Sequence, residues 1–257
     1  MTIQQAPSRN IDTQLELAKW LAIFTMVIDH AGYVFADKVD YMAFRLVGRM
    51  CWPLIGFIVA MRLYVSPTRT TGYLRRLLPW AFISQLPYAF IFLGPKGEPW
   101  FSMLNIFFTI ALGCFVFILL ERWNRSSNLP EKILCAAGIL IAVMLGVKVD
   151  YGPVGVIMIP VLALMARQSF LKAAIACGPL AMLSNTLFMI GIGRLEHNWP
   201  MLLGTLAASA IACITLQEAG RLWRLPRWFF YAFYPLHMVA LIAGRVWVDW
   251  DKIALAH

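Results

Sequence analysis

Apolar residues run along this chain in long stretches, and polar residues fall mostly between them. A segment such as "ILCAAGILIAVMLG" shows no alternation of apolar and polar positions, so its period is not that of a strand. Nine such runs are predicted, at about 17–35, 41–61, 74–93, 100–120, 132–147, 153–166, 169–191, 199–216 and 228–248. Most reach the roughly 17–25 residues that cross ~30 Å of hydrocarbon as a helix. The runs at 132–147 and 153–166 are short, so one of them is expected to be re-entrant or strongly tilted. Backbone groups in lipid must be satisfied within their own segment, which leaves helices as the spanning element. The runs are evenly spaced and no long polar linker divides them. The expectation is therefore an all-α bundle of about nine transmembrane helices, forming a single domain over residues 1–257.

Composition agrees. The chain is 61% hydrophobic and 14% charged, where a soluble domain carries about 25% charged residues. Its mean hydropathy is +0.71. The net charge of +9 is unevenly placed. Arg9, Lys19, Arg62, Arg69, Arg75, Arg76, Arg122, Arg125, Lys132, Arg167, Lys172, Arg221, Arg224 and Arg227 lie on one side of the predicted spans. Lys38, Lys96, Lys148, Arg194, Arg245 and Lys252 lie on the other, with Arg45 and Arg49 inside the second span. This bias puts the N-terminus in the cytoplasm and the C-terminus in the periplasm. No basic domain stands outside the membrane, which argues against nucleic-acid binding. Residues 1–15 are polar and no small-residue cleavage site ends the first apolar run, so the N-terminus is expected to be retained. The five cysteines lie in apolar stretches without a C-x-x-C spacing and read as small buried hydrophobes.

Ionisable groups inside the spans are the candidate chemistry. "MVIDHAG" places Asp29 and His30 within the first apolar run. An aspartate at a helix centre costs ~2.5–3.5 kcal/mol on the insertion scale, so such groups persist where they pair or line a pathway. His30 falls roughly 8 Å inside the outer boundary, and Arg45 and Arg49 roughly 6 and 12 Å inside it on one face of the second span. Asn105 and Thr109 share a face of the fourth span. Ser84, Gln85, Asn185 and His237 lie nearer the midplane. Adjacent helical residues point ~100° apart, so Asp29 is expected to neutralise Arg45 or Arg49, leaving His30 to move a proton. Competing readings are snorkelling for the two arginines, helix–helix hydrogen bonding for Asn105, Thr109, Ser84 and Asn185, and a satisfied bundle histidine for His237. No short ligand spacing supports a metal site.

Six blocks in order carry a resemblance: "AKWLAIFTMVIDHAG", "FRLVGRMCWPLIGF", "TGYLRRLLPWAFISQLPYAF", "LNIFFTIALG", "DYGPVG" and "FYAFYPLHMVAL". Together, from Lys19 to Leu241, they resemble the TraX family of polytopic inner-membrane proteins, known for N-terminal acetylation of conjugative pilin and similar to a wider superfamily of transmembrane acyltransferases. The matching positions are Lys19, Asp29, His30, Arg45, Gly48, Arg49, Pro53, Tyr73, Arg75, Arg76, Ser84, Gln85, Pro87, Asn105, Thr109, Asp150, Tyr151, Tyr234, Pro235 and His237. The segment "MRLYVSPTRTTG" departs from the family's small, glycine-containing pattern.

The resemblance implies an acetyltransferase that uses cytoplasmic acetyl-CoA, needs no metal, and has pilin or another membrane-associated acceptor as partner. His30 would be the general base, with Asp29 as counter-ion and Arg45, Arg49 or Asn105 stabilising the oxyanion. Arg62, Arg69, Arg75 and Arg76 form a cytoplasmic cluster suited to phosphate, because guanidinium forks bind it bidentately. Ser84, Gln85, Thr109, Tyr234 and His237 would line the donor's path. Direct transfer and an acetyl-histidine intermediate both suit these residues. Two other classes remain open: a proton-coupled transporter, which a buried Asp, His and Arg set also fits, and a non-catalytic pilus or conjugation assembly factor.

Overall fold

The structure is a computed structural model that describes residues 14–249 except 194, 218–223 and 225, and of 197, 198, 201 and 227 the backbone alone. The expected retained N-terminus and the charges counted at Arg9, Arg194, Arg221 and Lys252 lie outside the described residues.

Among the described residues ten helices of eight residues or more make the bundle: α1 Glu16–Val34, α2 Tyr41–Gly48, α3 Cys51–Val65, α4 Thr70–Phe92 and α5 Ile106–Arg125. They continue as α6 Leu129–Leu145, α7 Gly152–Gln168, α8 Phe170–Gly191, α9 Leu203–Gln217 and α10 Arg227–Val248. Among the described residues there is no strand, only one bridge between Leu104 and Val149. Among the described residues five segments are long and apolar enough to cross a membrane, counting α2 and α3 as one over Tyr41–Val65. Residues α7 and α9 bring to the bundle are apolar but fewer, and the 17 of α7 span about 25 Å. The other short run lengthens: α6 continues as a 3-10 turn to give 20 residues over Leu129–Lys148.

Two predicted elements are corrected. The second span is not one continuous helix, because it breaks at Arg49 and Met50. Pro53 has no N–H to offer the Arg49 carbonyl, and its ring occupies the place where that bond would form. The fourth span starts at Ile106 rather than near Trp100. Ahead of it, Leu104 pairs in extended form with the loop after α6, donating to the Lys148 carbonyl and accepting from Asp150 N, each at 2.8 Å.

Helix α3 is central and packs against α1, α7, α8 and α9, while α10 closes the bundle against α4 and α1. Trp52, Leu54, Phe57 and Met61 of α3 are fully buried. At the periphery α6 leaves Ile133, Leu134, Leu140, Ile141 and Met144 exposed, as a lipid-facing helix does. Loop contacts sort the helix ends. Arg245 near the end of α10 bonds Asp37 after α1 and Asp249, the latter at 2.5 Å. At the opposite end Arg167 and Arg125 pair with Glu121, and Arg122 with Glu131.

Candidate functional site

Asp29 and His30 leave α1 on different faces and find different partners. The Asp29 carboxylate meets Arg45 Nη1 at 2.5 Å, and the same nitrogen donates to the Asp29 carbonyl at 3.3 Å. Of the two arginines that could neutralise Asp29, α2 therefore presents Arg45. Close approach requires Gly48, where a methyl group would overlap the Asp29 side chain and backbone. Asp29, Arg45 and Arg49 are 8, 7 and 6% exposed, which leaves no room for either guanidinium to snorkel. Beyond the break, Arg49 Nη1 donates to Asn185 Oδ1 of α8 at 3.0 Å. Asn185 in turn donates to the Ala181 carbonyl at 2.9 Å.

His30 turns toward α10. Its Nδ1 lies 2.7 Å from His237 Nε2, and the Phe92 and Tyr234 rings flank it with centroids at 5.4 and 6.1 Å. Tyr234 is buried and packs on Phe107 at 4.6 Å. His30 is half-buried, its Nε2 bonds no described residue, and it lies within electrostatic reach of Arg45 and Arg49.

The remaining intramembrane candidates have structural partners. Asn105 caps α5 by accepting from Phe107 N at 3.0 Å, and donates to the Ala81 carbonyl and Gln85 Oε1 at 2.8 and 2.9 Å. Both its amide hydrogens are used, so none remains for an oxyanion. Gln85 holds the α4–α5 loop through the Trp100 and Met103 carbonyls at 2.7 and 2.9 Å. Ser84 bonds the Trp80 carbonyl at 2.6 Å and Thr109 the Asp150 carbonyl at 2.6 Å. Gln85 and Thr109 thereby satisfy loop carbonyls that would otherwise be orphaned inside the bundle, whereas Ser84 bonds one turn back within α4. Ser84, Gln85 and Thr109, expected along a donor path, are each buried and engaged in these bonds.

The basic cluster lies at the other end of α3 and α4. Arg69, Arg75 and Arg76 are exposed and Arg62 is half-buried. Arg76 and Phe92 are sixteen positions apart along α4, about 24 Å. Arg122, Arg125 and Arg167 are neutralised by Glu121 and Glu131, whereas Arg69, Arg75 and Arg76 have no carboxylate partner among the described residues. Arg76 lies beside Tyr231 of α10. Lys19, counted among the cytoplasmic charges, is instead buried against Glu16 at 2.5 Å.

Sequence reasoning had no physical role for the loop ahead of α7. Tyr151 has φ 66°, the one non-glycine with positive φ among the described residues, and stacks on Trp52 at 4.5 Å. Its carbonyl accepts from Ser184 at 2.8 Å. Beside it Asp150, near Arg49 and Arg45, is pushed up to about 6 by burial. The signal available was "DYG": an aromatic residue ahead of glycine, where an apolar run restarts without a helix cap.

The sequence profile that matches this chain is described as "TraX protein" and covers residues 14–245, from α1 to the end of α10. A relative from Dichelobacter nodosus, "Probable fimbrial assembly protein FimC, serogroup H1", is 27% identical over 253 residues, covering 94% of this chain and 100% of the relative. "Protein TraX" of Escherichia coli is 26% identical over 234 residues, covering 89% of this chain and 86% of that protein. No solved structure matches significantly.

Proposed function

This chain belongs to the TraX family, and we propose on that premise that it is a membrane acetyltransferase that modifies a pilus-type subunit. The donor is acetyl-CoA from the cytosol and the acceptor is an N-terminal amine. The observation that supports this reading is His30: a half-buried imidazole with one free nitrogen, held between helices in the same layer as two buried guanidiniums. In the reaction the amine nitrogen attacks the thioester carbon, the C–N bond forms and the C–S bond breaks. His30 takes the proton from nitrogen and returns it to the CoA sulfur, so nothing else is consumed.

Arg45 and Arg49 supply positive charge for the oxyanion in a site from which water is largely excluded. Asp29 keeps Arg45 in place and Asn185 keeps Arg49 in place, so neither guanidinium must reorganise as charge develops. The carboxylate-free Arg69, Arg75 and Arg76 suit the phosphates of the donor, and the distance from Arg76 to the level of Phe92 is one that its extended arm would thread. This arrangement requires the basic end of the bundle to face the cytosol, in a bacterial cytoplasmic membrane with the C-terminus periplasmic.

Transfer of labelled acetyl from acetyl-CoA to a pilin N-terminal peptide, by the purified full chain in lipid nanodiscs, tests the reading. His30→Ala is expected to lower the rate by about 10²-fold or more while thermal unfolding is unchanged. A rate that survives the substitution refutes it. The fimbrial-assembly name of one relative favours a second reading, assembly without catalysis. In that case His30→Ala leaves pilus assembly intact and no subunit carries an acetyl group.

A further inference from the structure

Both ring nitrogens of His237 are engaged. Nδ1 lies 2.9 Å from the Phe233 carbonyl oxygen one helical turn back, and Nε2 lies 2.7 Å from His30 Nδ1. A carbonyl oxygen can only accept, so the hydrogen of that contact belongs to His237 Nδ1. A neutral imidazole carries one N–H and one lone pair, so His237 Nε2 is the acceptor in the second contact and His30 Nδ1 the donor. A second proton on His237 would place a cation against the His30 ring, which already lies within electrostatic reach of Arg45 and Arg49.

The ring geometry fits a directed bond rather than a loose encounter. The two imidazole planes are 10° apart with centroids at 4.9 Å. The hydrogen bond thus runs close to the plane of both rings, where an N–H and a lone pair point. Phe233 lies flat on His237 at 4.9 Å and 11°, and His237 is 7% exposed, so its ring has little freedom to turn.

We infer that His237 is a positioning residue: it accepts from Nδ1 of His30, fixes that tautomer, and leaves Nε2 of His30 as the nitrogen that exchanges a proton with the reacting groups. The catalytic part of this assignment rests on the proposed acetyl transfer; the location of the hydrogen does not. When Nε2 takes the acceptor's proton, the resulting charge is shared across the His30–His237 bond and faces the Phe233 carbonyl dipole. The outer ring thereby steadies the inner one, as second-sphere partners of histidine commonly do. His237 is then removed from the donor-binding set in which the sequence placed it.

The test uses the full chain with ¹⁵N-labelled histidine in nanodiscs, His197 and His257 replaced by asparagine, and His30→Gln to assign signals. His30 is expected to show a protonated, pyrrole-type Nδ1 and a bare, pyridine-type Nε2. In His237→Leu the acceptor is gone and the His30 signals move toward a mixture of tautomers. In His237→Gln the side-chain oxygen still accepts and the signals stay. A protonated Nε2 in the unsubstituted pair, or no change in His237→Leu, overturns the inference. In acetyl transfer, His237→Gln is expected to stay within about tenfold of the parent, and His237→Leu to fall by about 10²-fold in kcat. A loss confined to KM for the acyl donor would return His237 to donor binding and overturn the inference. If the tautomer is as described but no acetyl is transferred by the parent chain, the enzymatic reading fails and the hydrogen assignment stands.

Discussion

Asp29 and Arg45 show how one residue's placement depends on another's. Each is buried, and their 2.5 Å contact offsets a desolvation penalty that neither could bear alone. Arg45→Met is expected to destabilise by about 3–5 kcal/mol, because it leaves an unpaired buried carboxylate. Adding Asp29→Leu should recover most of that loss, since replacing both charges by apolar groups removes the orphan. Thermal unfolding of the two variants in the same detergent measures this, and a double variant no more stable than the single one would sink the idea. Acetyl transfer is expected to be lost in both. That the aspartate would pair with an arginine on the next span was readable from depth and charge. Its choice of Arg45 was not, because the break at Arg49 turns the two guanidiniums toward different helices.

At the scale of elements, the position of α2 decides where both guanidiniums sit. Its C-terminal turn rests on the start of α9, where a side chain at Gly204 would overlap the Leu46 carbonyl. Both parties are backbone, so a methyl group there must push one helix away. Gly204→Ala is expected to destabilise by roughly 1–3 kcal/mol and to slow transfer by displacing Arg45 and Arg49. Gly191→Ala, with nothing within 4 Å of the added carbon, serves as the control and should change neither. Equal behaviour of the two variants in thermal unfolding would contradict this role for α2. The broken span was foreshadowed by Pro53. The late start of α5 was not, since Leu104 leaves the helix to pair with Val149, a residue 45 positions away.

For the whole molecule, orientation couples the membrane to the chemistry. In a chain whose five cysteines are replaced by alanine, Lys38→Cys and Lys96→Cys are expected to react with an impermeant maleimide on intact cells. Arg69→Cys and Arg125→Cys should react only after permeabilisation. The reverse pattern would place the free arginines outside, away from any cytosolic donor, and end the proposed direction of transfer.

The amino-acid sequence by itself determined that this chain lives in lipid as helices, since apolar length and the need to satisfy backbone groups locally act segment by segment. It also determined which costly side chains had to be accounted for: Asp29, His30, Arg45 and Arg49. Tertiary structure alone decided which arginine Asp29 meets and which partners His30 and Arg49 find. His237 is 207 residues from His30 and Asn185 is 136 from Arg49, and no local period or spacing encodes contacts between helices so far apart. The same packing turned Gln85, Asn105 and Thr109 into anchors, because the loops between helices turn inside the bundle and leave carbonyls and amides that only nearby side chains can satisfy.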